Sequence, residues 1–316
     1  MEKLFRFLVT GLAMSSMMTL QAENVPDAFH NRGQWEEMSI SYVNVHIGLE
    51  APFSVLHISD THLTEAYPDE SENKRAISKD RIATFGGLQA DALARSLNWA
   101  DRYCDFVVHT GDMIDYQSEA NYDLVKKYSG ENRILCVGNH EFSPEMWLSE
   151  IPESKTEQYK SYTRDEIDRV YKIDSKFQSR VVNGVNFVAI DNVYGTVTPA
   201  QVELFDKELA KGLPIVLCMH VPFFSDDMWR ANVKYWARGG AKFRDAGIPQ
   251  PSGDYLAQQS DKTTKEFISR LKNETLLKAI LAGHIHFSYQ ERFSPMANQY
   301  VAGPNFLYTG TEILFD

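Results

Sequence analysis

The sequence predicts one α/β layered domain, on three observations. Short apolar, β-branched runs recur along the chain, stretches with apolar residues at helical spacing lie between them, and neither an internal repeat nor a low-complexity linker divides the 316 residues. A chain of that length can bury most of its apolar surface in one core. Its 43% hydrophobic and 24% charged residues exclude both wholesale disorder and a chain that crosses a membrane many times.

Ser39 to Ile47 alternates apolar and polar residues and reads as an amphipathic strand. Phe53 to Ser59 is apolar and β-branched, which marks the first buried strand, and similar runs follow at Asp105 to Thr110, Arg133 to Val137, Val185 to Asp191, Pro214 to His220 and Lys278 to Gly283. Between them, Leu88, Ala92, Leu97 and Ala100 recur at about helical spacing, as do Val202, Phe205 and Leu209. The second of these helices is punctuated at both ends: Thr198 can cap, Pro199 fits the first turn, Gln201 completes a capping box and Gly212 supplies a stop. The C-terminal segments Phe287 to Phe293, Gln299 to Ala302 and Phe306 to Phe315 lack helical periodicity and predict an antiparallel meander.

Two stretches read as loops, Thr64 to Thr84 and Phe223 to Asp261. The second carries Trp229, Arg230, Tyr235, Trp236, Arg238, Lys242 and Arg244, and is either a solvated flap or a lid that contacts substrate.

Residues 1–22 depart from the average composition. Lys3 and Arg6 precede an apolar run from Phe7 to Leu20, and Ala22 then gives way to polar Glu23-Asn24, the build of a secretory signal peptide with too short an apolar run for a comfortable membrane span. The expectation is an exported protein, periplasmic or secreted, with residues 23–316 as a single domain. Loss of Glu2, Lys3 and Arg6 with that segment takes the formal charge from −11 to −12, which argues against nucleic acid or anionic lipid as a partner and leaves small substrates. Cys104, Cys136 and Cys218 lie in or beside apolar runs without clustered spacing, and read as free thiols.

The chemistry concentrates where the runs end. Asp60 and His62 follow the first buried run, Gly111-Asp112 the second and Gly138-Asn139-His140-Glu141 the third; His220 closes the fifth, and Gly283-His284-Ile285-His286 follows the sixth. Ligands bind outside the carboxyl ends of strands in open α/β sheets, so these segments should converge on one crevice. Five of the nine histidines belong to the set. Carboxylates and imidazoles together suit two transition-metal ions such as Mn, Fe, Zn or Co, which can share a bridging carboxylate and act on a phosphoryl group.

In this order, Asp60-x-His62, Gly111-Asp112, Gly138-Asn139-His140-Glu141, His220 and Gly283-His284-x-His286 resemble the calcineurin-like metallophosphoesterase superfamily. The spacing is similar to its bacterial cyclic-nucleotide and glycerophosphodiester phosphodiesterase branch. The resemblance implies a four-layer α/β/β/α sandwich with mixed sheets. It also implies one metal on Asp60, His62, Asp112 and His286, and a second on Asp112, Asn139, His220 and His284, with Asp112 bridging. The reaction so implied is hydrolysis of a phosphomonoester or phosphodiester by a metal-activated hydroxide, with His140 stabilising the transition state or assisting the leaving group.

Glu141 either orients the His140 ring or is a surface residue. His57 and His109, inside predicted strands, read as core or ligand-supporting groups, and His30 and His46 as incidental. Two other functions use the same motifs: a noncatalytic scaffold, which predicts eroded ligands, and a nuclease, which predicts a basic stripe. Every ligand position is filled and the chain is acidic, so the small-substrate enzyme is the stronger reading.

Overall fold

The computed structural model describes residues 38–144, 156–237 and 261–316, so the predicted signal segment and residues 238–260 of the second predicted loop lie outside it. In chain order the strands are β1 (Ser39–Val45), β2 (Phe53–Ile58), β3 (Phe106–His109), β4 (Arg133–Leu135), β5 (Phe177–Val182), β6 (Val185–Ile190), β7 (Ile215–Cys218), β8 (Leu277–Ala282), β9 (Tyr289–Arg292), β10 (Asn298–Val301) and β11 (Thr309–Phe315). The helices are α1 (Glu72–Phe85), α2 (Gln89–Tyr103), α3 (Glu119–Tyr128), α4 (Thr156–Ser161), α5 (Arg164–Tyr171), α6 (Pro199–Leu209), α7 (Asp226–Ala237) and α8 (Lys262–Leu271).

Two mixed sheets form, one in the order β1-β11-β2-β3-β4 and the other β5-β6-β7-β8-β10-β9. Strands β2, β3 and β4 run parallel, as do β6, β7, β8 and β10. Successive side chains of a strand point to opposite faces, so Val55 of β2 enters the layer between the sheets while its neighbour Leu56 packs outward. The inter-sheet layer joins Phe53, Val55, Phe106 and Phe315 from one sheet to Phe187, Val216 and Leu281 from the other. Outside the first sheet, Leu93 and Leu97 of α2, Val125 of α3 and Ile167 of α5 cover Leu56 and Ile58. Outside the second, Phe205 of α6 and Phe267 and Leu271 of α8 cover Val188, Ile190 and Leu217. The result is the four-layer α/β/β/α sandwich. Helix α6 carries the expected capping box and first-turn proline, and Gly212 past its end has φ +69°.

Three sequence expectations need correction. The stretch Thr64 to Thr84 is largely helical: α1 begins after Ser71, whose hydroxyl accepts the Lys74 N–H, and ends at Gly86 at φ +80°. The second predicted loop likewise opens with helix α7. The C-terminal meander is one antiparallel pair only, β9 with β10; β10 lies parallel to β8, and β11 crosses to the other sheet between β1 and β2. Strand β5 is absent from the runs read in the sequence, although Asn183-Gly184, both at positive φ, is the two-residue hairpin signal that joins it to β6.

Phe187 is fully buried and its ring meets Phe53, Phe106 and Phe315 of the opposite sheet at centroid distances of 6.3, 5.6 and 5.6 Å. Phe187→Ala should therefore cost about 3–5 kcal/mol of stability, read as a lower urea midpoint at unchanged slope; a loss under about 1 kcal/mol would show that the sheets do not depend on this contact.

Candidate metal centre

The parallel strands bring their carboxyl ends to one edge of the sandwich, and the chemistry-bearing residues stand in the turns that leave them. Asp60, His62, Asp112, His284 and His286 all have φ between +52° and +74°, the left-handed region that costs a non-glycine residue on the order of 1 kcal/mol. Hydrogen bonds hold those turns beyond the strand ends: Asp60 N–H donates to Gly111 O at 3.0 Å, His62 N–H to Asp112 O at 3.0 Å and Gly283 N–H to His220 O at 2.9 Å. The two sheets are stitched together here as well, because the His284 backbone N–H donates to Asp60 Oδ2 at 2.9 Å and the His220 ring bonds Thr110 O at 2.8 Å.

Two candidate ligand groups result. Donor atoms of Asp60, His62, Asp112 and His286 lie within 4.8 Å of one another, and so do those of Asp112, His220 and His284. In the first, His286 Nε2 stands 3.0 Å from His62 Nε2 and 3.4 Å from Asp60 Oδ1. In the second, His220 Nε2 stands 3.2 Å from Asp112 Oδ2 and 3.1 Å from His284 Nδ1. Donors bound about 2.0–2.2 Å from one cation lie roughly 3 Å or more apart, so these spacings fit shared ions. The tautomers fit too. His62 Nδ1 bonds Asp115 Oδ1 at 2.9 Å and His220 Nδ1 bonds a carbonyl, so each ring donates through Nδ1 and turns an Nε2 lone pair to the cleft. Asn139 occupies the adjoining turn, and its Oδ1 is buried without a hydrogen-bond partner, as a carbonyl ligand awaiting a cation would be.

A model of the calcineurin-like phosphoesterase family matches residues 53–288, from the first residue of β2 to two residues past His286. The chain belongs to that family. This chain is 25% identical over 262 residues to a cAMP/cGMP dual specificity phosphodiesterase of Mycobacterium tuberculosis; the match covers 76% of this chain and 64% of the relative's own length. It is similar in structure to a dimetal phosphatase from Danio rerio, at 14% identity and TM-score 0.47 over 80% of this chain and 88% of that one. Another similar structure is a calcineurin-like phosphoesterase from Bacillus subtilis, at 12% identity and TM-score 0.37 over 81% and 82% of the two chains.

The cleft of this phosphoesterase asks for positive charge. Asp60 and Asp112 are buried, and their ion-pair partners among the described residues are all histidines. Burial opposes ionisation of Asp112, yet the imidazoles of His220 and His140 hold its carboxyl well below the usual range. Burial likewise pushes the His220 imidazole down, but Asp112 pulls it up to about 9. A proton or a cation meets that demand. His62, by contrast, is lowered to about 4 by burial and by His140, which suits a neutral ligand.

Glu141 fits neither expectation for it. Its carboxylate is fully buried and accepts N–H bonds from Gly138 at 2.6 Å, Asp112 at 3.0 Å, Met113 at 2.7 Å and Ile114 at 3.3 Å, together with the Tyr171 hydroxyl at 2.9 Å. It ties the Gly-Asp turn to the Gly-Asn-His turn. A Cβ on Gly138 would collide with the Asp112 carboxylate, so the glycine there serves close approach of the two turns. His140 is oriented instead by Asp115, through Nδ1 to the backbone oxygen at 2.7 Å and to Oδ1 at 3.2 Å. Asp115 is thus the site residue that sequence reading missed; its signal was its place three residues past Asp112, in the same turn. His57 and His109 are buried supports, bonded to Thr110 Oγ1 at 3.0 Å and Thr61 Oγ1 at 2.9 Å.

Glu141→Ala should cost about 3 kcal/mol or more, because several buried donors lose their acceptor at once, whereas Tyr171→Phe should cost about 1 kcal/mol. Chemical denaturation of the two variants checks the order, and equal losses would remove Glu141 from this role.

Proposed function

We propose that this phosphoesterase hydrolyses a small phosphodiester, with phosphomonoesters as the alternative substrate. Asp60, His62, Asp112 and His286 would hold one cation, and Asp112, Asn139, His220 and His284 a second, drawn from Mn, Fe, Zn or Co. The observation that carries this reading is the shared carboxylate: Asp112 stands in both ligand groups, 3.8 Å from His62 Nε2 and 3.2 Å from His220 Nε2. Cations there would polarise the phosphoryl group and make water a nucleophile at neutral pH. The activity named for the Mycobacterium tuberculosis relative supports a diester of cyclic-nucleotide size.

His140 stands beside the same carboxylate, with Nε2 3.9 Å from Asp112 Oδ2 and its other ring nitrogen held by Asp115. Fixed in that tautomer, it serves as a hydrogen-bond partner for the transferring group or as the acid for the leaving oxygen. Beside His286 in the chain, Phe287 stacks on Tyr235 of α7 with ring centroids 4.7 Å apart, and packs against the apolar layer outside the second sheet. A scaffold that no longer turned over substrate would not need this complete set.

Full-length protein reconstituted with Mn2+ and assayed on bis-p-nitrophenyl phosphate, p-nitrophenyl phosphate and 3′,5′-cyclic AMP tests the reading. Asp112→Asn should lower occupancy of both cations, and His140→Ala should keep both while slowing turnover by about 10²–10⁴-fold. Two retained cations in Asp112→Asn, or bound metal without hydrolysis in the unmodified protein, would overturn it.

We also propose that residues 1–22 direct export and are then removed, on the basic start and apolar run described above. Among the described residues no helix is long and apolar enough to cross a membrane. Amino-terminal sequencing of protein from an expressing bacterium should start at residue 23 in the extracytoplasmic fraction; an intact Met1 start would remove the proposal.

A further inference from the structure

Helix α1 is long for what it buries. Of its fourteen residues, from Glu72 to Phe85, the buried ones are Ser78 and Phe85. A helix that existed to cover the sheet would present an apolar stripe. Instead Ser78, Arg81 and Phe85, spaced three and four apart on one face, all reach the turn that carries His62 or the groups bonded to it. The Ser78 hydroxyl donates to Thr64 O at 2.7 Å, two residues past His62. Arg81 grips Asp115 with both arms of its fork, Nε to Oδ2 at 2.5 Å and Nη2 to Oδ1 at 2.8 Å. The Phe85 ring stacks on the His62 imidazole, with centroids 5.0 Å apart and planes 23° from parallel, and also meets the Arg81 guanidinium at 4.6 Å and, tilted by 48°, Phe306 at 4.6 Å.

We infer that Arg81 and Phe85 are positioning residues for the metal centre: α1 is a bracket that sets the tautomer and the ring plane of His62 and, through Asp115, the orientation of His140. The inference rests on the proposed role of His62 as a cation ligand. Asp115 Oδ1 receives His62 Nδ1 at 2.9 Å and lies 3.2 Å from His140 Nδ1, so the rotation of one carboxylate decides where two imidazoles point. A carboxylate can turn about its own axis. The planar guanidinium, binding both oxygens at once, removes that freedom in a way a lysine ammonium cannot. Phe85 acts on the remaining degree of freedom, the tilt of the His62 ring. The side chain of Arg81 is 18% exposed, so it reaches the surface while its guanidinium stands against the buried Asp115 carboxylate.

The test compares Arg81→Ala, Arg81→Lys and Phe85→Leu with the unmodified full chain in three measurements: Mn2+ binding isotherms, kcat and KM on bis-p-nitrophenyl phosphate, and nitrogen-15 spectra of histidine-labelled protein in Zn2+ and in chelator. The expected result for Arg81→Ala is a folded protein with a lower thermal midpoint, because the buried Asp115 carboxylate loses its guanidinium partner, and one of the two Mn2+ affinities weakened about 10–100-fold, the range for loss of a ligand's supporting partner. Its kcat should fall with little change in KM, and the His62 resonances should lose their pure Nδ1–H pattern. Arg81→Lys should recover only part of each, and Phe85→Leu should weaken the same Mn2+ site while keeping the tautomer. Unchanged Mn2+ affinities and an unchanged His62 tautomer in Arg81→Ala would overturn the inference, as would equal weakening of both sites in step with a fallen thermal midpoint. If the unmodified chain binds no Mn2+, the proposed metal centre fails, and the His62 tautomer in chelator still decides whether Arg81 positions that ring.

Discussion

Two buried carboxylates, Asp60 and Asp112, stand at one edge of the sandwich facing only imidazoles as ion-pair partners among the described residues, and the local architecture answers to that concentration of charge. Isolated, a buried carboxylate is costly enough to pick up a proton rather than stay charged. Here backbone donors, neighbouring rings and the turns themselves are arranged so that the charge persists, which is the condition for holding cations. The left-handed backbone at Asp60, His62, Asp112, His284 and His286 belongs to the same arrangement. Strain at so many neighbouring positions survives only where the surroundings over-determine it.

Those surroundings are polar clamps more than apolar packing. Glu141 accepts from both the Gly-Asp and the Gly-Asn-His turns, while Asp115 accepts from two imidazoles and from Arg81. Each carboxylate spends its lone pairs on groups from separate chain segments, so neither turn can relax alone. The two-sheet architecture is necessary for the same reason. One candidate ligand group draws His286 from the second sheet to Asp60, His62 and Asp112 of the first, and the other draws His220 and His284 to Asp112. The aromatic layer between Phe53, Phe106, Phe315 and Phe187 therefore sets the depth at which the halves of the centre meet.

The parts that the sequence misrepresented share a physical cause. Helix α1 has no apolar periodicity because its inward face is built of Ser78 and Arg81 and meets a polar turn, so it reads as a loop. Strand β11 looks like the last arm of a meander, but the helical turn Asn305–Leu307 and the Ser59 to Pro304 bridge carry the chain over to the first sheet. Pattern alone cannot tell which of two sheets a strand will join. Asp115 escapes the sequence pattern because an acid three residues past Asp112 looks the same whether it faces solvent or two histidines.

From the residues alone came the alternation of buried strands and helices, the placement of ligand-type side chains at strand ends, the capping of α6 and the family likeness. These are local properties, legible because hydrophobic period, caps and motif spacing act over a few residues. Which carboxylate clamps which turn, the pairing of Arg81 with Asp115, the stacking of Phe85 on His62 and the crossing of β11 were decided only by tertiary structure. Those contacts join residues far apart in the chain, such as His62 and His286 at 3.0 Å, and their energies depend on distance and burial that a linear order does not carry.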